Sequence, residues 1–263
     1  MPYRIDLPNP PSGALDTLVA LGALDIDSVS DGLAALLPDA VSAAEVANAL
    51  GVPEVRVSPA VARDDHSIWT LSRPAIRLRS LVILPADRPP QPGAVRLTEG
   101  DAFGTGLHAT TALCLEALED LIDAVVPDRL LDVGTGSGVL ALAALQRGVA
   151  RATGCDRDAG ALKVAVENAR LNGVADRLSF VRGGPESIRG AWPLVVANIR
   201  AAELMAMAQP LAWRVASKGR LVLSGIPECV GSEVEHVYQR LGMKTVTRTV
   251  REGWIALGLY PSW

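Results

Sequence analysis

The chain has 263 residues, 49% of them hydrophobic, with a formal net charge of -4 and a mean hydropathy of +0.25. That is enough apolar material for one sizeable core and a smaller companion, while a pI near 5.5 leaves no broad basic surface for a nucleic-acid backbone and suits a basic protein partner better. The longest apolar runs, such as 139–145, fall short of the roughly 20 residues that a membrane span needs. The opening "MPYRIDLPNPPSG" lacks the basic start and apolar stretch of a signal peptide, so a cytoplasmic location is expected. Cys114, Cys155 and Cys229 are far apart and show no CxxC spacing. They are expected as small core residues, with neither a disulfide framework nor a metal site.

Residues 1–62 predict a compact α+β unit. "YRIDL" (3–7) is a strand and "GALDTLVALGA" a helix with Ser12 as its N-cap; strands follow at Asp25–Val29 and Gly32–Leu37. In "SAAEVANALG", Ser42 and Glu45 have capping-box spacing and Gly51 is placed to end the helix. "VRVSPAVA" supplies a last strand. The order strand, helix, strand, strand, helix, strand is that of a ferredoxin-like domain. Residues 63–96 are expected as linker and lead-in: a polar connector at 64–73, then strands "IRLRSLVILP" and "AVRLTEG" on either side of the proline-rich "PADRPPQPG".

From residue 97 to 263 the pattern becomes α/β. A helix around 111–125 precedes the strand "RLLDVG", a glycine loop and a further helix. Strand and helix then alternate through "ATGCD", "AGALKVAVENARLNG", "LSFVRG", "PLVVANI", "AAELMAMAQPLAWRVA" and "GRLVLSGI". Such alternation predicts a Rossmann-like parallel sheet covered on both faces. "KTVTRTV" and "WIALGLY" flank the turn "REG", so the sheet is expected to gain an antiparallel C-terminal hairpin. There is no internal repeat.

The glycine loop "LDVGTGSGVLALAAL" sets Gly134, Gly136 and Gly138 as G-x-G-x-G, whereas the dinucleotide fingerprint needs G-x-G-x-x-G. Asp132, just before the loop, would repel a phosphate but accept hydrogen bonds from an amino-acid ammonium. Asp156 ends the next strand, where a carboxylate takes ribose hydroxyls. Ribose plus amino acid without phosphate describes S-adenosylmethionine. A nicotinamide dehydrogenase is the competing reading, disfavoured by the spacing and by Asp132.

"LLDVGTGSGVLALAAL" followed by "GCDRD" resembles motif I and the acidic loop of class I methyltransferases. "DAFGTGLHATT" (101–111) resembles the F-G-T-G-x-H-x-T-T signature of the PrmA family, methyltransferases of ribosomal protein L11. "VVANIRAAEL", "GRLVLSGI" and "EGWIALGL" resemble further segments of that family in the same order, so the likeness runs from residue 97 to 259. The N-terminal part matches as an architecture, a ferredoxin-like substrate-recognition domain.

The resemblance implies that Thr111, Gly134, Asp156 and Asn198 contact the cofactor and that Phe103, Gly104 and Thr105 shape the pocket over its methionine end; Asp132, Gly136 and Gly138 join them from the loop. Thr111 can equally cap its helix. Asn198, ending "LVVAN", carries a carboxamide ill suited to burial without partners, so it either faces the cleft or caps a turn. His108 either orients substrate or accepts a proton, or holds its own loop; Asn198 and His108 are the catalytic candidates. Trp254 is either an apolar wall for an acceptor lysine or a core aromatic, and His66 and His236 have no assigned role.

Amide methylation in class I enzymes goes with N-P-P-Y after the fourth strand, and here that place reads Asn198, Ile199, Arg200, Ala201. That disfavours a glutamine acceptor. The resemblance implies methylation of lysine side chains, and of an α-amino group, on ribosomal protein L11 by a monomer that binds neither nucleic acid nor membrane. A methyltransferase for another protein or a small amine, and a non-catalytic cofactor-binding module, are the alternatives.

Overall fold

The computed structural model describes residues 3–29, 32–59, 76–79, 81–86, 88–98 and 109–263. The chain divides into two compact units, Met1–Ala75 and Ile76–Trp263, so the lead-in strands belong with the larger one.

In the small unit, β1 (Tyr3–Pro8), α1 (Ala14–Ala20), β2 (Asp25–Val29), β3 (Gly32–Leu37), α2 (Ala43–Leu50) and β4 (Arg56–Pro59) follow in order. The strands form an antiparallel sheet in the order β2-β3-β1-β4, the ferredoxin-like arrangement. Alternation along β1 and β3 sends Ile5, Leu7, Ala35 and Leu37 into one cluster with Leu18 of α1 and with Val46 and Leu50 of α2. The capping box forms: the Glu45 amide donates to Ser42 Oγ (3.2 Å) and the Ser42 amide to Glu45 Oε2 (2.7 Å). Gly51 ends α2 in the left-handed region. Ser12 does not cap α1. That position falls to Gly13 at φ 79°, without a side-chain cap, because the turn needs a left-handed residue that serine accommodates poorly.

The larger unit opens with β5 (Ile76–Leu78), β6 (Leu81–Pro85) and β7 (Ala94–Leu97). These are three strands where the sequence predicts two, since "IRLRSLVILP" folds back at Arg79 so that β5 pairs antiparallel with β6, and β7 pairs parallel with β6. Next come α3 (Ala109–Ala124), β8 (Arg129–Val133), α4 (Val139–Gln146), β9 (Arg151–Asp156), α5 (Ala159–Leu171), β10 (Leu178–Arg182) and β11 (Trp192–Asn198). After them lie α6 (Ala201–Ala206), α7 (Ala208–Ala212), β12 (Val215–Pro227), α8 (Gly231–Arg240), β13 (Met243–Arg251) and β14 (Trp254–Pro261). Helix α8 was not anticipated; its apolar positions are few, with Val234 and Tyr238 the large side chains that it buries.

The main sheet has the order β10-β9-β8-β11-β12-β14-β13. Its first five strands are parallel, and β14 inserts antiparallel between β12 and β13. β11 shows why both faces are covered: Leu194 and Val196 pack among α3, α4 and α5, whereas Val195 and Ala197 pack among α6, α7 and α8. The β13–β14 loop is Glu252-Gly253 with φ 49° and 75°, the paired positive values of a type I′ turn. Among the described residues, no helix is long and apolar enough to cross a membrane, and no group of three or more His, Cys, Asp or Glu is gathered to hold a metal ion. Cys114 and Cys155 are buried and Cys229 is exposed.

Candidate functional site

At the carboxyl ends of the parallel strands lies a cavity of about 650 Å³, lined by the glycine loop, the ends of β9, β10 and β11, the start of α6, Gly225 and Trp254. Ligands bind at this edge of open α/β sheets, next to the point where strand order reverses, here between β8 and β11.

The glycine loop turns sharply because Gly134, Gly136 and Gly138 sit at φ 71°, 53° and 83°. A Cβ on Gly134 would lie 2.2 Å from Ile199 Cγ2, so bare backbone is required there. Gly134 and Gly136 line the cavity; Gly138 begins α4 behind them. The amides of Gly134 and Thr135 both donate to the Cys155 carbonyl (2.8 and 3.0 Å), which ties the loop to β9. One step on, the Gly136 amide donates to Asp156 Oδ2 (3.0 Å) and the Asp158 amide to Asp156 Oδ1 (3.0 Å). Asp156 is thus held with its carboxylate toward the cavity that it lines. Each oxygen retains accepting capacity for a diol.

Asp132 is placed differently from the expectation. Strand alternation turns it to the same face as Leu130, into the helical layer rather than the cleft. It is 0% exposed and does not line the cavity; Oδ2 accepts from Thr135 Oγ1 (2.7 Å). Burial raises its pKa to about 7, aided by the Asp156 charge and opposed by Thr135 and the Ala141 amide. Its evident contact is with the loop residue Thr135.

Asn198 lines the cavity at the end of β11 and is 8% exposed. Its Nδ2 donates to Thr111 Oγ1 (3.3 Å), and Oδ1 is buried without a partner. Thr111 itself is 0% exposed; the next residue back on α3, Thr110, lines the cavity in its place. A helix turns about 100° per residue, so a shift of one position exchanges inside for outside. Trp254 lines the wall with Ile199 and Met207, and Glu203, ion-paired to Arg200, stands beside them. Arg157, also a lining residue, pairs with Glu186 (3.2 Å). Sequence reasoning did not single out Arg157, Gly183, Gly184, Glu203, Met207 or Gly225, all of which line the cavity. Arg157, Gly183 and Gly184 follow the ends of β9 and β10, the position that could have pointed to them, whereas Glu203 lies in α6, Met207 just after it and Gly225 within β12. Phe103, Gly104, Thr105 and His108 lie outside the described residues, as does His66, while His236 is on the exposed face of α8.

The cavity fits a nucleoside carrying an amino acid. Its volume is within the range of small-molecule sites, roughly 300–1,000 Å³. Among the lining residues, Asp156 supplies carboxylate acceptors, Gly134 and Gly136 present bare backbone, and Asn198 carries a buried Oδ1 without a partner.

The family model described as Ribosomal protein L11 methyltransferase (PrmA) matches residues 66–260. A ribosomal protein L11 methyltransferase of Geobacter sulfurreducens is 45% identical over 183 residues, 68% of this chain and 60% of that protein. Its counterpart in Pelobacter propionicus is 40% identical over 185 residues, 67% of this chain and 60% of its own length. The chain therefore spans about 60% of the length of these curated relatives. Among solved structures, the ribosomal protein L11 methylase of Lactobacillus delbrueckii subsp. bulgaricus is similar with a TM-score of 0.67 at 30% identity, covering 72% of this chain and 99% of that one.

Proposed function

Because the chain belongs to the ribosomal protein L11 methyltransferase (PrmA) family, we propose that it transfers methyl groups from S-adenosylmethionine to amine nitrogens, chiefly lysine side chains, of ribosomal protein L11. The observation that carries this reading is one cavity lined both by a ribose-type carboxylate, Asp156, and by Asn198, whose carboxamide oxygen is buried without a partner.

S-adenosylmethionine supplies an electrophilic methyl on a sulfonium. Asp156 holds the sugar hydroxyls, and the bare backbone of Gly134 and Gly136 lets the ligand lie against the loop. Alignment of the acceptor lone pair with the methyl supplies on the order of 7–11 kcal/mol. The harder requirement is a neutral amine, since a lysine of pKa about 10.4 costs roughly 4.6 kcal/mol to deprotonate at pH 7. The wall of Ile199, Met207 and Trp254 reduces that cost by disfavouring the ammonium. Asn198 Nδ2 is engaged with Thr111, which leaves Oδ1 to accept from the neutral amine and hold it in line.

The small unit suits the grip on a ribosomal protein. Residues 1–75 carry ten Asp and Glu against four Lys and Arg, whereas residues 76–263 carry nineteen against twenty-one. An acidic surface steers a basic partner toward the enzyme. Intact-mass analysis of unmodified L11 incubated with this protein and S-adenosylmethionine tests the proposal. Mass gain in methyl-sized steps, absent with Asp156→Ala, supports it. No gain, with cofactor binding intact, moves the acceptor to another protein or a small amine.

A further inference from the structure

Asn168 on helix α5 and Asn172, the residue that follows its last turn, lie four positions apart and both bond to the β7 segment. Asn172 pairs with Arg96 as a neighbouring strand would: its Oδ1 accepts from the Arg96 amide (2.8 Å) and its Nδ2 donates to the Arg96 carbonyl (2.7 Å). The same Nδ2 also reaches the Asn168 carbonyl (2.7 Å). Asn168 is 0% exposed. Its Oδ1 accepts from the Thr98 amide (2.7 Å) and hydroxyl (2.9 Å), just past the end of β7, and its Nδ2 donates to the Ser137 carbonyl (2.9 Å).

Both asparagines therefore fasten β7, but only Asn168 reaches the glycine loop. Ser137 lies between Gly136, which lines the cavity and donates to Asp156, and Gly138, which begins α4. A loop with three left-handed glycines has much backbone freedom to lose; the Thr135 carbonyl is held within the loop by the Gly138 amide (2.8 Å), and a buried donor on the Ser137 carbonyl ties the loop to α5. A carboxamide suits the task because it donates and accepts from one rigid group.

We propose that Asn168 is a positioning residue for the cofactor site, acting through Ser137 to hold the glycine loop where Gly134 and Gly136 meet the ligand, whereas Asn172 serves the strand alone. The inference rests on reading the cavity as an S-adenosylmethionine site.

The test is calorimetric titration of S-adenosylmethionine into the full chain and its Asn168→Ala, Asn168→Asp and Asn172→Ala variants, with urea unfolding of each. Asn168→Asp keeps the acceptor for Thr98 but sets an oxygen against the Ser137 carbonyl, so it separates the loop contact from the strand contact. The expected result is a cofactor affinity about tenfold weaker for both Asn168 variants, the equivalent of one net hydrogen bond. Asn172→Ala stays within about twofold although it also loses stability. In methylation assays the Asn168 variants raise the cofactor KM and recover kcat at saturation. Unchanged affinity in the Asn168 variants, or losses that track stability equally in all three, overturns the proposal. A wild-type chain that does not bind S-adenosylmethionine overturns the underlying reading instead, and is told apart by that control.

Discussion

Asp132→Asn isolates the cost of keeping a carboxylate under the glycine loop. The folded pKa is raised from 3.8 to about 7, chiefly by burial. Below pH 4 the carboxyl is protonated in both folded and unfolded chains and costs nothing. As pH rises from 4 toward 7 the unfolded chain releases this proton while the folded chain retains it, so unfolding becomes progressively favoured; above about pH 7 both states are ionised and the penalty is constant. At 1.36 kcal/mol per unit, a shift of about three units amounts to roughly 4 kcal/mol as an upper bound. The Thr135 hydroxyl, which donates to Oδ2 at 2.7 Å, can still donate to the amide oxygen of the variant. Urea unfolding of wild type and Asp132→Asn, each from pH 4.5 to 8, gives a difference in which the other titrating groups cancel. The variant is expected to gain on the wild type by several kcal/mol across that interval, with the change flattening above pH 7.5. A stability difference independent of pH would refute the argument and mean that the buried carboxyl is ionised at no cost.

Other perturbations separate cofactor binding from binding of the acceptor protein. Asp156→Ala removes the acceptor for the Gly136 and Asp158 amides and, on the proposed reading, for the ribose, and should weaken S-adenosylmethionine binding by about 10–100-fold in calorimetry. Trp254→Ala, which removes an aromatic cavity-lining side chain, should on the proposed reading lower kcat/KM for the protein substrate while cofactor affinity stays within about twofold; equal losses in both would assign Trp254 to cofactor binding. Gly225→Ala sets a Cβ 2.2 Å from the Ile199 carbonyl oxygen at φ 82°. The backbone cannot yield cheaply there, so a loss of about 1–3 kcal/mol is expected in urea unfolding.

Where sequence legibility ended is instructive at the level of single residues. The Ser42–Glu45 box and the Glu252-Gly253 turn are local: a few side chains and two positive φ values decide them, and both stand in the structure as the spacing implied. The alternation of strand and helix was equally legible, because buried parallel strands such as β11 need apolar residues on both faces. What failed required knowing which way a side chain points. Asp132 reads as a cleft residue by its place beside the glycines, yet the period of two along β8 turns it under α4. Thr110 and Thr111 are indistinguishable by type, and only the helix phase decides which meets the cavity. The cavity residues Arg157, Glu203 and Met207 carry no motif of their own; adjacency in space, fixed by sheet order, brings them together.

The placement of β14 between β12 and β13 bears on how the protein assembles. β13 and β14 are joined by a two-residue turn, whereas β14 meets β12 only after 26 intervening residues, among them α8. Hairpins close within about 1–10 μs, and longer loops carry a larger entropic cost. The hairpin is therefore expected to form first and dock as a unit on β12, delivering Trp254 to the cavity in the same event. Completion of the cavity lining and closure of the sheet edge become one step, so hydrogen exchange should find the amides of β13 and β14 opening together.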